Sequence, residues 1–463
     1  MFGISKRTRL AIIAPAVVFA LAAALTTPAV AAPTPTPVPS PSPTQSPTLS
    51  PTPMSTPTTS AAPCSAAAAL GQKSLGQFYG YVIDTATGKV LLDTRGSEAT
   101  PSASVLKVLT VAAALDKLPA DYRATTKVFS VPSAPGTIVL QGGGDHTLSR
   151  MTGDSFTTYS NAARLETLAA QVLATWALDT PVTKIILDQN FFSGASYTSA
   201  WKLSDRTNGY ISHITGLQVD SDRANPDLTS KAYSGYRSTN PVNQTGKFFK
   251  EALQGLADDA SLVVGRTPAN AVLLTSVSSA PIGTWLQHAI SVSDNTETEF
   301  IARHAAKAAG LAPRFESIEP LVVKTLAKLG VDSTGLVMKD GSGLAQANRV
   351  TPKLVAELLA KSAADTGPLS QLVSYLPVAG RSGTLATRFT GKNAMARTFV
   401  TGKSGYIPGL YSLAGIIKAK DGSKLSYAIF ARSAGSKKVG YAARGALDTV
   451  ATRFYQCGLG LTK

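Results

Sequence analysis

This chain contains two cysteines, Cys64 and Cys457, and they stand at opposite ends of the part that can fold. Upstream of Cys64, residues 33–63 are dense in Pro, Thr and Ser, a composition that cannot bury a core. In an oxidising compartment the two thiols are expected to pair, tying the termini of one body together. The chain-entropy model caps the benefit of so long a loop at roughly 5–6 kcal/mol. Two unpaired thiols are the alternative.

The N-terminus points to such a compartment. Lys6, Arg7 and Arg9 precede an apolar run, Leu10 to Leu25, broken by Pro15, and Ala29-Val30-Ala31 is a small-x-small cleavage site. Residues 1–31 therefore read as an export signal, with an uncleaved membrane anchor as the alternative, and 32–63 as an extended linker. No later stretch is apolar for long enough to cross a bilayer. The net charge of +16 suits anionic cell-wall polymers or a membrane surface. Nucleic acid is a poor partner, because there is no basic run, finger spacing or aromatic–basic repeat.

The remaining length is too great for one core. The spacing predicts a helix over Ser65 to Leu75, then strands Phe78 to Asp84 and Lys89 to Asp93 with Thr87-Gly88 at the turn. Near the other end, Ser412 to Lys418 and Leu425 to Arg432 form a second strand pair around Asp421-Gly422, before a helix from Tyr441 to Phe454. The two ends can share one sheet, which would bring Cys64 to Cys457. The middle, with short β-like runs at Thr137–Leu140 and Lys184–Leu187, reads as a smaller lobe inserted into the first. The division is residues 64–124 with 271–463 for the main body and 125–270 for the insertion, an α+β architecture.

Three short motifs carry chemistry. Ser104-Val105-Leu106-Lys107 opens a helical run reaching Leu118, with Ser102 as N-cap. A spacing of three puts serine and lysine on one helix face. A serine hydroxyl needs a base, and a lysine can serve if burial lowers its pKa. Ser293-Asp294-Asn295 lies between helical segments Pro281–Ile290 and Thr296–Ala309. It offers a hydroxyl that can relay a proton and an amide that can hold a carbonyl, although a plain helix cap looks the same. Lys403-Ser404-Gly405 precedes a strand. It offers a fixed positive charge, a second donor and a residue without a side chain, where substrate can approach the strand edge. Each motif alone is more often a surface accident, and decoys exist at Ser199-Ala200-Trp201-Lys202 and Ser238-Thr239-Asn240. The set of three is the signature of penicillin-binding proteins and class A β-lactamases.

With these motifs the sequence resembles the class C low-molecular-mass penicillin-binding proteins, the D-Ala-D-Ala carboxypeptidase/endopeptidases of peptidase family S13. The likeness spans roughly residues 70–455. It includes Pro101–Thr110 around Ser104, the glycine-rich block Gly142-Gly143-Gly144-Asp145-His146-Thr147-Leu148, Asp340-Gly341-Ser342-Gly343-Leu344, Asn348-Arg349-Val350-Thr351, Gly383-Thr384-Leu385 and Tyr411–Gly415. His146 stands where the family usually has Pro, Ser404 where it often has Thr, and the interval from Ser104 to Ser293 is short for the family.

The resemblance implies a penicillin-binding/β-lactamase-like transpeptidase fold, an antiparallel sheet flanked by helices with an inserted smaller domain. It implies a serine-type D-Ala-D-Ala carboxypeptidase acting on peptidoglycan peptides, with endopeptidase action in some members, and covalent capture of β-lactam antibiotics such as penicillin. Ser104 would be the nucleophile, Lys107 the base and Ser293 the relay to the departing D-Ala. Asn295 would orient the acyl part, Lys403 and Ser404 would receive the terminal carboxylate, and the N–H groups of Ser104 and Tyr406 would stabilise the oxyanion.

Three other readings stay open: a β-lactamase, a wall-binding protein with a weak site, and a Ser-His-Asp hydrolase. For the last, His146, His213, His288 and His304 lack a hydrolase context and read as structural. They also lack metal-ligand spacing, and no cofactor is expected.

Overall fold

The computed structural model describes residues 63–177, 179–226 and 235–463. Residues 1–62, where the sequence leads one to expect an export signal and a linker, lie outside the described residues.

The helix Lys107–Lys117 organises the main body. Its sequence is KVLTVAAALDK, and the first nine residues are all buried, apolar except for Lys107 and Thr110. A helix with apolar residues all round belongs in the centre of a core. It packs against the helices Asn295–Ala308, Ile318–Lys328, Pro352–Ala364 and Gln371–Tyr375. Val108, Val111, Leu286, Phe300, Leu354 and Phe430 belong to the apolar cluster around it.

An antiparallel sheet closes one side of this core. The strand Leu410–Lys418 lies between Val400–Ile407 and Lys424–Arg432. The N-terminal hairpin, Gln77–Asp84 with Val90–Thr94, lies alongside Lys424–Arg432 and is tied to it by Thr85 N donating to Lys424 O (2.9 Å). The C-terminal helix, Ala442–Cys457, covers the outer face through Leu447, Val450 and Phe454. The ends of the chain thus meet. Cys64 pairs in parallel with Leu461, and Cys64 and Cys457 form a disulfide with Cα atoms 5.3 Å apart.

The stretch between holds a second sheet of five strands in the order Ser261–Val264, Lys184–Asp188, Thr137–Gln141, Thr125–Ser130, Val272–Ser278. The first three are parallel, and Thr125–Ser130 is antiparallel to both its neighbours. Its last strand lies beyond residue 270, in sequence assigned above to the main body. The helices Leu165–Thr175 and Pro241–Ala252 cover one face, burying Leu168, Val172 and Phe249 on Val128, Leu140 and Leu187.

Two local expectations fail. Ser65–Leu75 is not one helix but a short strand, a helix Ala67–Leu70 and a 3₁₀ turn Lys73–Leu75, interrupted at Gly71. Ser65 is instead drawn into pairing with Thr462. Ser102 does not cap the helix: the helix is entered through a 3₁₀ turn, Ala103–Leu106, and no side chain caps it.

Candidate active site

That 3₁₀ turn matters for the chemistry. With three residues per turn, side chains at i and i+3 eclipse, so Ser104 stacks over Lys107. Ala103, just before the serine, is held at φ 48°. A left-handed non-glycine residue costs of order 1–3 kcal/mol and recurs at functional sites.

Lys107 is completely buried. Its Nζ lies 3.2 Å from Ser104 Oγ, 2.6 Å from Asn295 Oδ1 and 2.7 Å from the Ser342 carbonyl oxygen. Burial drives its pKa from 10.5 down to about 8, against the opposing pull of Asp340, Glu299 and Asp294. The hydrogen bonds define what the neutral form of Lys107 can do. Asn295 Oδ1 and Ser342 O can only accept, and a neutral amine has two N–H groups and one lone pair. In that form both N–H groups go to the two carbonyls and the lone pair is left for the Ser104 hydroxyl; when Lys107 is protonated its third N–H donates to Ser104 Oγ.

Ser293-Asp294-Asn295 is both motif and cap. Ser293 ends the helix Ile282–Val292 in a left-handed conformation, and Asp294 caps the next helix by accepting from Glu297 N (3.0 Å). The reversal aims Asn295 at Lys107 while its Nδ2 donates to Tyr210 O (3.0 Å). Asp294 is gripped from behind by the Tyr159 hydroxyl (3.0 Å) and Arg223 (3.5 Å). Tyr159, Tyr210 and Arg223 all come from the stretch between Ser104 and Ser293, so it braces the site.

Lys403 lies on the strand Val400–Ile407, fully buried. Its Nζ donates to Ser293 Oγ (2.8 Å) and Ser404 O (2.7 Å). Burial, then the Lys107 charge, holds its pKa well below the lysine norm. Ser404 Oγ donates to Thr384 Oγ1 (2.8 Å), so two hydroxyls stand together at the strand edge. A Cβ on Gly405 would lie 2.7 Å from Ser102 O and 2.9 Å from Ser104 N. Only glycine lets this strand come so close to the serine's backbone. Tyr406 follows with an exposed ring packed on Tyr411 at 4.7 Å.

Ser104, Lys107, Ser293, Asn295, Lys403, Ser404 and Gly405 are thus brought together, Tyr406 follows on the same strand, and the decoys lie outside the site. Ser199 and Lys202 are exposed, and between them Trp201 turns inward to donate to Asp340 (2.8 Å). Asn240 caps the helix Pro241–Ala252. The histidines have packing roles: His146 lies against Trp285 (4.4 Å), His213 contacts Ser196, His288 pairs with Glu297, and His304 bridges Tyr122 and Gly144 O. Among the described residues no group of His, Cys, Asp or Glu is placed to hold a metal ion. Sequence reasoning assigned no role to Glu299, Asp340, Thr384 or the Tyr210 and Ser342 carbonyls. Asp340, Ser342 and Thr384 lie in the blocks Asp340–Leu344 and Gly383–Leu385 that carry the family resemblance, and that is their signal in the sequence.

A serine hydroxyl facing a buried amine of lowered pKa, with a second serine–lysine pair beside it, is the arrangement of a serine peptidase of the penicillin-binding class. The D-Ala-D-Ala carboxypeptidase 3 (S13) family matches residues 64–238 and 233–454, and the chain belongs to that family. Carboxypeptidase DacB of Mycolicibacterium smegmatis is 34% identical over 85% of this chain and 84% of its own length. A carboxypeptidase of Mycobacterium tuberculosis is 32% identical over 86% and 85%. Among solved structures, penicillin binding protein 4 (dacB) of Haemophilus influenzae has the same fold, with a TM-score of 0.68 at 20% identity over 82% of this chain and 96% of that one.

Proposed function

We propose that this chain is an exported serine-type D-Ala-D-Ala carboxypeptidase that trims peptidoglycan stem peptides through an acyl-enzyme on Ser104. Lys107 takes the hydroxyl proton as Ser104 Oγ attacks the carbonyl between the two D-Ala residues. Charge that develops on the carbonyl oxygen meets the backbone N–H groups of Ser104 and Tyr406. Asn295 Nδ2 lies on the acyl side. The terminal carboxylate docks at the Ser404 and Thr384 hydroxyls, with the Lys403 charge behind them. Ser293 passes a proton to the departing amine, and water then frees the acyl-enzyme. Penicillin enters by the same attack and stays, because its leaving group remains tethered to the acyl part. A D-Ala bond inside a cross-link presents the same reacting atoms, so endopeptidase action belongs to the same chemistry. The net charge of +16 suits residence among anionic wall polymers, and the basic, then apolar N-terminus supports export.

The observation that carries this assignment is the Lys107 amine, buried and 3.2 Å from Ser104 Oγ, with two carbonyl oxygens placed to take the two N–H groups of its neutral form. The test is release of D-Ala from a peptide ending in D-Ala-D-Ala. The intact protein should release it and Ser104→Ala should not; equal release by both would refute the assignment.

A further inference from the structure

Glu299 lies one turn along from Asn295 on the same helix, so both side chains face the same way. It is fully buried. Its carboxylate accepts from Gly341 N at 3.0 Å through each oxygen and from Ser342 N at 2.7 Å. Ser342 also supplies the carbonyl that takes one Lys107 proton. The same loop is strapped from Lys107's own helix, where the Thr110 hydroxyl donates to Gly341 O (2.6 Å). On the far side, Asp340 accepts from Gly343 N, Ala345 N and Asn348 Nδ2 at 2.7–2.8 Å. There is no slack: a Cβ on Gly341 would lie 3.0 Å from Ala302 Cβ and 3.4 Å from Glu299 Oε2.

We propose that Glu299 is a positioning residue for the Lys107 base: it holds the Gly341–Ser342 backbone so that the Ser342 carbonyl draws one N–H away from Ser104, and its charge sets the pH at which Lys107 can accept a proton. The proposal rests on the assignment of Lys107 as base. If Ser342 O moved off, Lys107 could turn that N–H towards Ser104, and the lone pair would point elsewhere. The charged groups around the base are Glu299, Asp340 and Asp294 on the negative side and Lys403 on the positive side; Arg303 lies on the other side of Glu299. Burial and Asp340 raise the Glu299 pKa to about 7, so Glu299 is ionised while Lys107 titrates near 8. Removing the Glu299 charge removes one of the interactions that favour protonated Lys107, and the base then becomes neutral at lower pH.

The experiment is the rate of acylation by a fluorescent penicillin against pH, for wild type, Glu299→Gln and Glu299→Asp, with folding checked by near-ultraviolet circular dichroism. Acylation of the wild type at Ser104 tests the proposed function independently of the variants. For Glu299→Gln the midpoint should fall by about one pH unit and the plateau by about tenfold or more. Glu299→Asp keeps the charge on a shorter arm, so its midpoint should stay near wild type while its plateau falls. An unmoved midpoint in folded Glu299→Gln would overturn the proposal. Should Glu299→Gln fail to fold, Glu299→Asp decides: a wild-type plateau would overturn it, and a lowered plateau at an unchanged midpoint would support it.

Discussion

Replacing Lys107 by arginine separates its two possible roles, proton acceptor and fixed charge. At pH 7 a lysine with the ordinary pKa of 10.5 is neutral about once in 3,000 molecules, whereas one at about 8 is neutral about once in ten. The net shift, in which burial outweighs the nearby carboxylates, thus raises the competent fraction by about 300-fold. Arginine stays protonated throughout the accessible range and has no lone pair to offer. Loss of a positioned general base costs about 10²–10⁴-fold, so Lys107→Arg should acylate with penicillin at least about 100-fold more slowly at pH 8. The wild-type rate should rise about tenfold per pH unit below the Lys107 pKa and level off above about pH 8, and the variant should lack that rise. Stopped-flow acylation between about pH 6 and 9 reads both. A flat wild-type profile, or a variant within tenfold of wild type, would refute the reasoning.

Other outcomes follow from the same geometry. Gly405→Ala should slow acylation about 100-fold without unfolding the protein, because the new Cβ would meet Ser102 O and Ser104 N at 2.7 and 2.9 Å; unchanged kinetics would mean that the strand's closeness is unimportant. Lys403→Ala should raise KM for a D-Ala-D-Ala peptide about tenfold or more, the size expected for a lost charge-assisted contact; wild-type turnover would refute its role. Ser199→Ala should leave penicillin labelling unchanged, since that serine is exposed and outside the site. Replacing Cys64 and Cys457 by serine should lower stability by about 2–5 kcal/mol, seen as a lower Tm in thermal unfolding; an unchanged Tm would deny the disulfide a stabilising role.

What the sequence disclosed followed from chemistry written locally. Ser104 and Lys107, or Ser293 and Asn295, sit close enough in sequence for their pairing to be read directly, and the apolar run after Lys107 marks a buried helix. The strands Ser412–Lys418 and Leu425–Arg432 were legible from alternation and a turn dipeptide, and the structure extends them by only one or two residues. Long-range backbone contacts were not legible. Nothing local to Glu299 says that its carboxylate will grip the N–H groups of Gly341 and Ser342, and nothing in Tyr210 says that its carbonyl will hold Asn295. The strand Val272–Ser278 went unread because it is an edge strand with Val272 and Leu273 exposed, which blurs the alternation. Ser102 looked like a cap by residue type, but Ser104 required a 3₁₀ entry, with Ala103 in a left-handed conformation, which a capped α-helix would not supply.

The central claim is that one hydroxyl, on Ser104, is made nucleophilic by one buried amine. Mass spectrometry of peptides from the penicillin-treated protein tests it most directly. The penicilloyl adduct should sit on Ser104 at one per chain and vanish in Ser104→Ala. An adduct on Ser199, Ser293 or any other residue, or none at all on folded protein, would contradict the account.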